Sequence, residues 1–255
     1  MVFIVFVFAV VIGSFLNVCI YRIPAEKSVV SPPSSCGTCN KRLAIKDLIP
    51  IFSYLFLKGK CRYCNSKVSI RYLLVEIFTG ILISIIYLNF GLTYLFFKYS
   101  ILTFFLIVIA LIDYDTTDVY AVTTIPAIIL GIIFAVIESF NGAISIGSYF
   151  INLFYALLGG LICFVVIAGI CYLTGAMGEG DIEIAVLGGV FIGWKLSIFM
   201  LLFSFIIGGI LGVSLILLRK KKKTDYIPFG PSLAIGIYVM FNLGINFINN
   251  YIYNF

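Results

Sequence analysis

An all-α polytopic membrane protein is the fold class that the sequence predicts, with about eight transmembrane helices and a small cytoplasmic zinc-binding loop domain between the first two. Three observations predict it. Of the 255 residues 62% are hydrophobic and only 11% charged, too few polar side chains to cover a soluble domain of this length. Apolar runs of about 20 residues, long enough to cross the hydrocarbon as helices, recur along the chain. Two C-x-x-C pairs lie in the polar interval after the first run.

The runs fall at roughly 2–20, 73–88, 95–112, 119–137, 149–173, 182–194, 196–218 and 229–248. Seven are comfortable; the sixth, IEIAVLGGVFIG (182–193), is short, and charge parity decides its role. Ten of the 17 lysines and arginines lie between Arg22 and Arg71, and five form RKKKK (219–223). The positive-inside rule puts both clusters in the cytoplasm. The first cluster follows one span, so the N-terminus is expected outside. The second must follow an odd number, which 182–194 supplies as a short or tilted crossing. Both termini are then outside. The cytoplasm receives residues 21–72, the 113–118 turn and GAMGEGD (175–181).

The expected organisation is a first transmembrane helix (1–22), a cytoplasmic four-cysteine loop (23–72) and a seven-helix core (73–255). The first run ends in YRIP (21–24), with no small-residue cleavage site of a signal peptide. The net charge of +6 is read as orientation and contact with anionic lipid. No nucleic-acid motif is present, and the sequence specifies no oligomeric state.

The chain has no histidine. That excludes an H-E-x-x-H metalloprotease, a Ser-His dyad and any imidazole zinc site. Chemistry must come from carboxylates, thiols, hydroxyls or lysines. CGTC (36–39) and CRYC (61–64) offer Cys36, Cys39, Cys61 and Cys64, four soft thiolates that suit tetrahedral zinc. Structural disulfides are not expected in a reducing cytoplasm, and the loop is too short for a core of its own. Four thiolates close the coordination shell, so the site is structural. Cys19, Cys163 and Cys171 lie in apolar segments and are read as packing residues.

Among the 11 acids, Glu76 is expected to pair with Arg71 or reach the headgroups. Asp113 ends the run ILTFFLIVIALI (101–112), and Asp181 opens the sixth span from the same side. Two carboxylates at one depth can meet across a bundle where glycines such as Gly178 and Gly180 permit close approach. Held together they cannot both ionise cheaply, so one keeps a proton. The ionised partner can then deprotonate a water while the other donates to a peptide carbonyl. Against this, acids at helix ends are common, and intramembrane acids also serve ion transporters.

The order of these motifs resembles the type IV prepilin peptidases, a family of leader peptidases and N-methyltransferases. GSFLNVCIYRIP (13–24) is similar to the family's opening helix, and residues 33–76 to its cytoplasmic zinc loop. ALIDYD (110–115) resembles the segment of the first catalytic aspartate. GAMGEGD carries the family's G-x-G-D with the second, and IPFGPSLAIG (227–236) resembles its last helix. The resemblance implies Asp113 and Asp181 as catalytic acids, Gly178 and Gly180 as the active-site turn, and the four cysteines as metal ligands. It implies a bacterial inner-membrane enzyme that cleaves the basic leader of prepilins or pseudopilins at the cytoplasmic face. It also implies N-methylation of the new amine from S-adenosylmethionine.

No glycine-rich strand–turn–helix unit for that cofactor is present, so its binding residues are not assigned. Gly59 matches a family glycine and reads equally as a turn residue. The chain departs from the pattern at Tyr120, Ala121 and Leu48, and at Glu183, where the family usually has lysine. Glu179, Glu183, Asp115 and Asp118 are candidates to attract a basic leader. A cleavage-only peptidase, and a small ion transporter with a regulatory zinc loop, are the alternatives.

Overall fold

In this computed structural model the described residues are 1–141, 150–175, 177–217 and 228–251. The RKKKK cluster, Asp225 and residues 142–147 of the expected external loop lie outside them. Among the described residues nine α-helices form: α1 (Val2–Arg22), α2 (Phe52–Phe56), α3 (Ile70–Phe90), α4 (Tyr94–Thr116), α5 (Ala121–Asn141), α6 (Ile151–Thr174), α7 (Glu179–Ile192), α8 (Trp194–Leu217) and α9 (Gly230–Tyr251). Each expected apolar run is one helix, and α2 is an addition inside the polar interval. Among the described residues the β pairing is two isolated bridges, Ser35 with Arg42 and Lys60 with Lys67.

Among the described residues six helices, α1, α3, α4, α5, α6 and α8, are long and apolar enough to cross a membrane. The chain is thus a multi-pass helical membrane protein. The short sixth run is different. With 14 residues, α7 is about 21 Å long against a hydrocarbon core of about 30 Å. Its surroundings are mostly protein: nine of its 14 residues are buried, against α5, α6, α8 and α9.

The chain divides into two compact units, Met1–Val108 and Ile109–Phe255. In the first, α1 packs on α3. A Cβ on Gly13 would lie 3.1 Å from the Glu76 Cα and 3.0 Å from the Thr79 Cβ, so the two helix backbones approach closely there. The Asn17 side-chain amide donates to the Tyr72 carbonyl at 3.0 Å. At the end of α1 the Arg22 guanidinium donates to the carbonyls of Ser28 (2.8 Å) and Pro32 (2.7 Å), turning the chain into the loop. Glu76 is buried, and its carboxylate accepts the Ile51 N–H at 2.8 Å. Ile51, 25 residues earlier, folds back onto α3 to make this bond.

In the second unit α7 is the helix the others surround. Its face toward α6 is glycine: a Cβ on Gly189 would lie 2.7 Å from the Gly159 carbonyl carbon and 2.9 Å from the Cys163 sulfur. Gly188 does the same toward α9 and α8, where a Cβ would lie 2.6 Å from Ile237 Cγ1 and 2.8 Å from the Met200 sulfur. Without a hydrophobic force between helices in lipid, such close backbone approach supplies the packing attraction. Gly189→Val should therefore overpack this seam and destabilise the protein by about 1–3 kcal/mol. Thermal unfolding in detergent should show a lower midpoint, and an unchanged midpoint would contradict the packing role.

Candidate functional site

Each unit carries one chemically distinctive cluster. In the first, CGTCNK and CRYCNS fold as two copies of one turn. The Cys36 N–H donates to the Lys41 carbonyl (3.0 Å) and the Asn40 N–H to the Cys36 carbonyl (2.9 Å). The Cys61 N–H likewise donates to Ser66 (2.8 Å) and the Asn65 N–H to Cys61 (3.0 Å). Each turn closes through an asparagine in the left-handed region, Asn40 at φ 53° and Asn65 at φ 57°, which asparagine tolerates better than most residues.

The turns bring the sulfurs of Cys36, Cys39, Cys61 and Cys64 within 4.8 Å of one another, a group that could hold a metal ion. Hydrogen-bond donors favour the thiolate at Cys36 and Cys64, whereas at Cys39 the Lys41 amide is outweighed by burial and the neighbouring sulfurs, which push that thiol up to about 11. The backbone N–H groups of Cys39 and Thr38 hold the Cys36 thiol down to about 6, and the Ser66 hydroxyl and amide lower that of Cys64. Outside the sulfurs the fold is slight. Asp47 accepts from Arg62 (2.5 Å), the Ala44 amide (3.2 Å) and the Tyr63 hydroxyl (3.3 Å). The Tyr54 hydroxyl donates to the Val68 carbonyl at 3.4 Å. Gly59 sits at φ 66° with that hydroxyl 2.8 Å from where a Cβ would be, so a side chain there is barred twice.

In the second unit Asp113 and Asp181 line one cavity of about 230 Å³ and are each only 2% exposed. Asp113 lies in the last turn of α4, which runs three residues past it to Thr116. Thr117 then enters the left-handed region at φ 60°, which is costly for a β-branched residue and is the kind of strain that collects at functional sites. Its N–H donates to the Asp113 carbonyl at 2.8 Å, and the Asp118 N–H donates to the Thr116 hydroxyl at 3.2 Å. This turn supplies Thr117, Asp118 and Val119 to the cavity wall.

The other wall is the start of α7. Helix α6 ends at Gly175, whose N–H donates to the Cys171 carbonyl at 2.9 Å, and the Cys171 thiol donates to the Met177 carbonyl at 3.1 Å. Cys171 thus holds the turn as well as filling space. Asp181 is the third residue of α7, and its Oδ2 accepts the Gly178 N–H at 3.1 Å, closing the first turn. Gly178, Glu179 and Gly180 line the cavity too. Gly180 is the contact point: a Cβ there would lie 2.5 Å from the Val119 Cβ.

The remaining acids separate. Asp118 and Glu179 are exposed on the cavity wall, and Asp115 is exposed but outside the lining. Glu183 turns from the cavity and accepts a hydrogen bond from the buried Thr124 of α5. Sequence reasoning missed Thr117, Val119 and Gly230. The Gly230 N–H, the first of α9, donates to Asp113 Oδ2 at 2.9 Å, and a Cβ on Gly230 would lie 2.5 Å from that oxygen. The signal was the pair Gly230–Pro231, since a residue before proline is pushed from helical geometry and glycine escapes that restriction most easily.

Each carboxylate has one oxygen anchored by a backbone amide, leaving the other for water or a substrate. With about 30 Å³ for a water molecule, the cavity takes several waters or a short peptide segment. Two buried carboxyl groups on such a cavity can divide the roles of general acid and general base.

Residues 7–90 match the bacterial Peptidase A24 N-terminal domain, and residues 100–213 match the type IV leader peptidase family. A curated relative from Aeromonas hydrophila, a prepilin leader peptidase/N-methyltransferase, is 31% identical over 277 residues, covering 98% of this chain and 93% of its own. A relative of the same name from Bacillus subtilis (strain 168) is 32% identical over 99% of this chain and 98% of its own. Another, from Pseudomonas aeruginosa, is 32% identical over 88% and 84%. No solved structure matches the chain.

If the four sulfurs act as one ligand set, the purified protein should carry one metal ion per chain, measured by elemental analysis, and Cys36→Ser should bring that ratio close to zero. Full metal content in the variant would contradict the shared site.

Proposed function

The chain belongs to the type IV leader peptidase family, and on that premise we propose that Asp113 and Asp181 form an aspartic endopeptidase dyad that removes the basic leader of prepilin-like proteins at the cytoplasmic face of the bacterial inner membrane. The observation that carries this reading is the shared cavity: two acids from α4 and α7, both buried, on one space of about 230 Å³. The ionised carboxylate takes a proton from a water whose oxygen adds to the scissile carbonyl carbon. The protonated carboxyl donates to the carbonyl oxygen. Collapse of the tetrahedral intermediate breaks the C–N bond, and the proton taken from water leaves with the amine.

The amides of Gly230 and Gly178 hold the two carboxylates in place, so that little reorganisation is needed during reaction. Asp118 and Glu179, exposed on the cavity wall, give the approaching basic leader complementary charge. A glycine beside the scissile bond would let the substrate chain extend, since a helical peptide bond is already hydrogen-bonded and shielded.

The same reading makes the enzyme an N-methyltransferase acting on the amine it releases. S-adenosylmethionine would supply the methyl group as an electrophilic sulfonium. Among the described residues no glycine-rich turn between a strand and a helix is built to hold it, and the transfer is assigned to no side chain. The metal is proposed to be zinc. Bonds of about 2.3 Å in a ZnS₄ tetrahedron put sulfurs about 3.8 Å apart, and Cys36 and Cys64 stand at 3.8 Å. Its role would be to fix residues 23–72, which hold too little apolar core to fold without it.

Asp113→Asn and Asp181→Asn should each lower leader cleavage by about 10²–10⁴-fold, with helical content and metal content unchanged. Incubation of the purified enzyme with a prepilin and labelled S-adenosylmethionine reads both activities. Retained cleavage in either variant would overturn the dyad, and cleavage without label transfer in the parent enzyme would remove the second activity.

A further inference from the structure

The short helix α2 has the wrong polarity for a water-facing loop. Its sequence is FSYLF, yet none of its residues is buried. Phe52, Leu55 and Phe56 are 60%, 58% and 82% exposed. They recur at i, i+3 and i+4, the spacing that gathers side chains on one helix face. The half-buried Ser53 and Tyr54 lie off that stripe, with Tyr54 against Gly59 and the Val68 carbonyl. The helix therefore turns its polar residues toward the cysteine turns and its apolar stripe away from the protein.

Its depth is set by a hydrogen bond. Ile51 immediately precedes α2, and its N–H donates to Glu76 at 2.8 Å. Glu76 is buried, and is the seventh residue of α3, about 9 Å along the axis from the helix start. It also interacts with the Ser14 side chain of α1. Both α1 and α3 are long and apolar enough to span the membrane. A residue tied to Glu76 lies beside the membrane-spanning part of α3, not out in solvent. Ile51 keeps φ at 62° to reach it, a conformation that a β-branched residue adopts only under strain. Just beyond the stripe, Lys58 and Lys60 are exposed.

We propose that α2 is an interfacial anchor: Phe52, Leu55 and Phe56 enter the headgroup–acyl boundary of the bilayer beside α3, and Lys58 and Lys60 meet anionic lipid phosphates. The occupant of the stripe is lipid because the Ile51–Glu76 bond fixes its level and because the apolar stripe and neighbouring lysines together match that boundary. The anchor holds the cysteine turns against the membrane surface through Tyr54 and Gly59. This inference rests on the membrane fold and does not depend on the reaction.

The test uses the full chain in nanodiscs containing anionic lipid. Phe56→Trp is placed in a Trp194→Phe background, which removes the one native tryptophan, and Phe52→Trp serves as a second reporter. Both tryptophans should emit at short wavelength, resist aqueous acrylamide and lose intensity when the acyl chains carry bromine, at a depth of about 5–10 Å into the boundary. Long-wavelength emission quenched by acrylamide would overturn the proposal in favour of a solvated loop. Short-wavelength emission insensitive to both quenchers would overturn it too, because the stripe would then be covered by protein.

Discussion

The site depends on how close α7 can come to its neighbours. A 14-residue helix ringed by α5, α6, α8 and α9 is held by backbone contact, through Gly189 against Gly159 and Gly188 against Ile237 and Met200. Those contacts fix where the helix begins, and its first turn carries Asp181. Because it is short and enclosed, Asp181 sits at a level determined by protein packing. Gly180 on Val119 then closes that turn against the chain that follows Asp113.

The two acids are held by the same device used twice. Asp181 accepts an amide from its own helix start, and Asp113 accepts the first amide of α9. Helix N-termini present unpaired N–H groups, so each carboxylate finds a donor for one oxygen. Neither needs a lysine, arginine or histidine beside it. That agrees with a chain in which histidine is absent and cations concentrate in two loops.

Much of this was legible in the sequence because it is local. Apolar runs gave each membrane helix to within a few residues, and C-x-x-C spacing marked the four sulfurs that the fold brings within 4.8 Å. Asp113 and Asp181 stood out as acids at the ends of oil-like segments. What stayed hidden depends on partners far apart in the chain. Gly230 meets Asp113 across 117 residues, Thr124 meets Glu183 across 59, and Ile51 meets Glu76 across 25. In each case one partner is a backbone amide or a neutral hydroxyl, which carries no compositional signal. Glu183 shows the consequence: next but one to Asp181, it reads as a candidate to attract a basic leader, yet its carboxylate is engaged by Thr124 of α5. The same limit applied to α2, whose five residues are too few for a periodic pattern until Ile51 fixes their level.

The central claim is that Asp113 and Asp181 work as one coupled acid–base pair on a single cavity. The pH dependence of kcat/KM for leader cleavage by the unaltered enzyme tests it most directly. A pair that needs one carboxylate ionised and one protonated predicts a bell with two limbs, whose apparent pKa values belong to the pair. A profile that keeps rising, or stays flat, across both limbs would contradict the account, since it would show that activity does not need one group ionised and a second protonated.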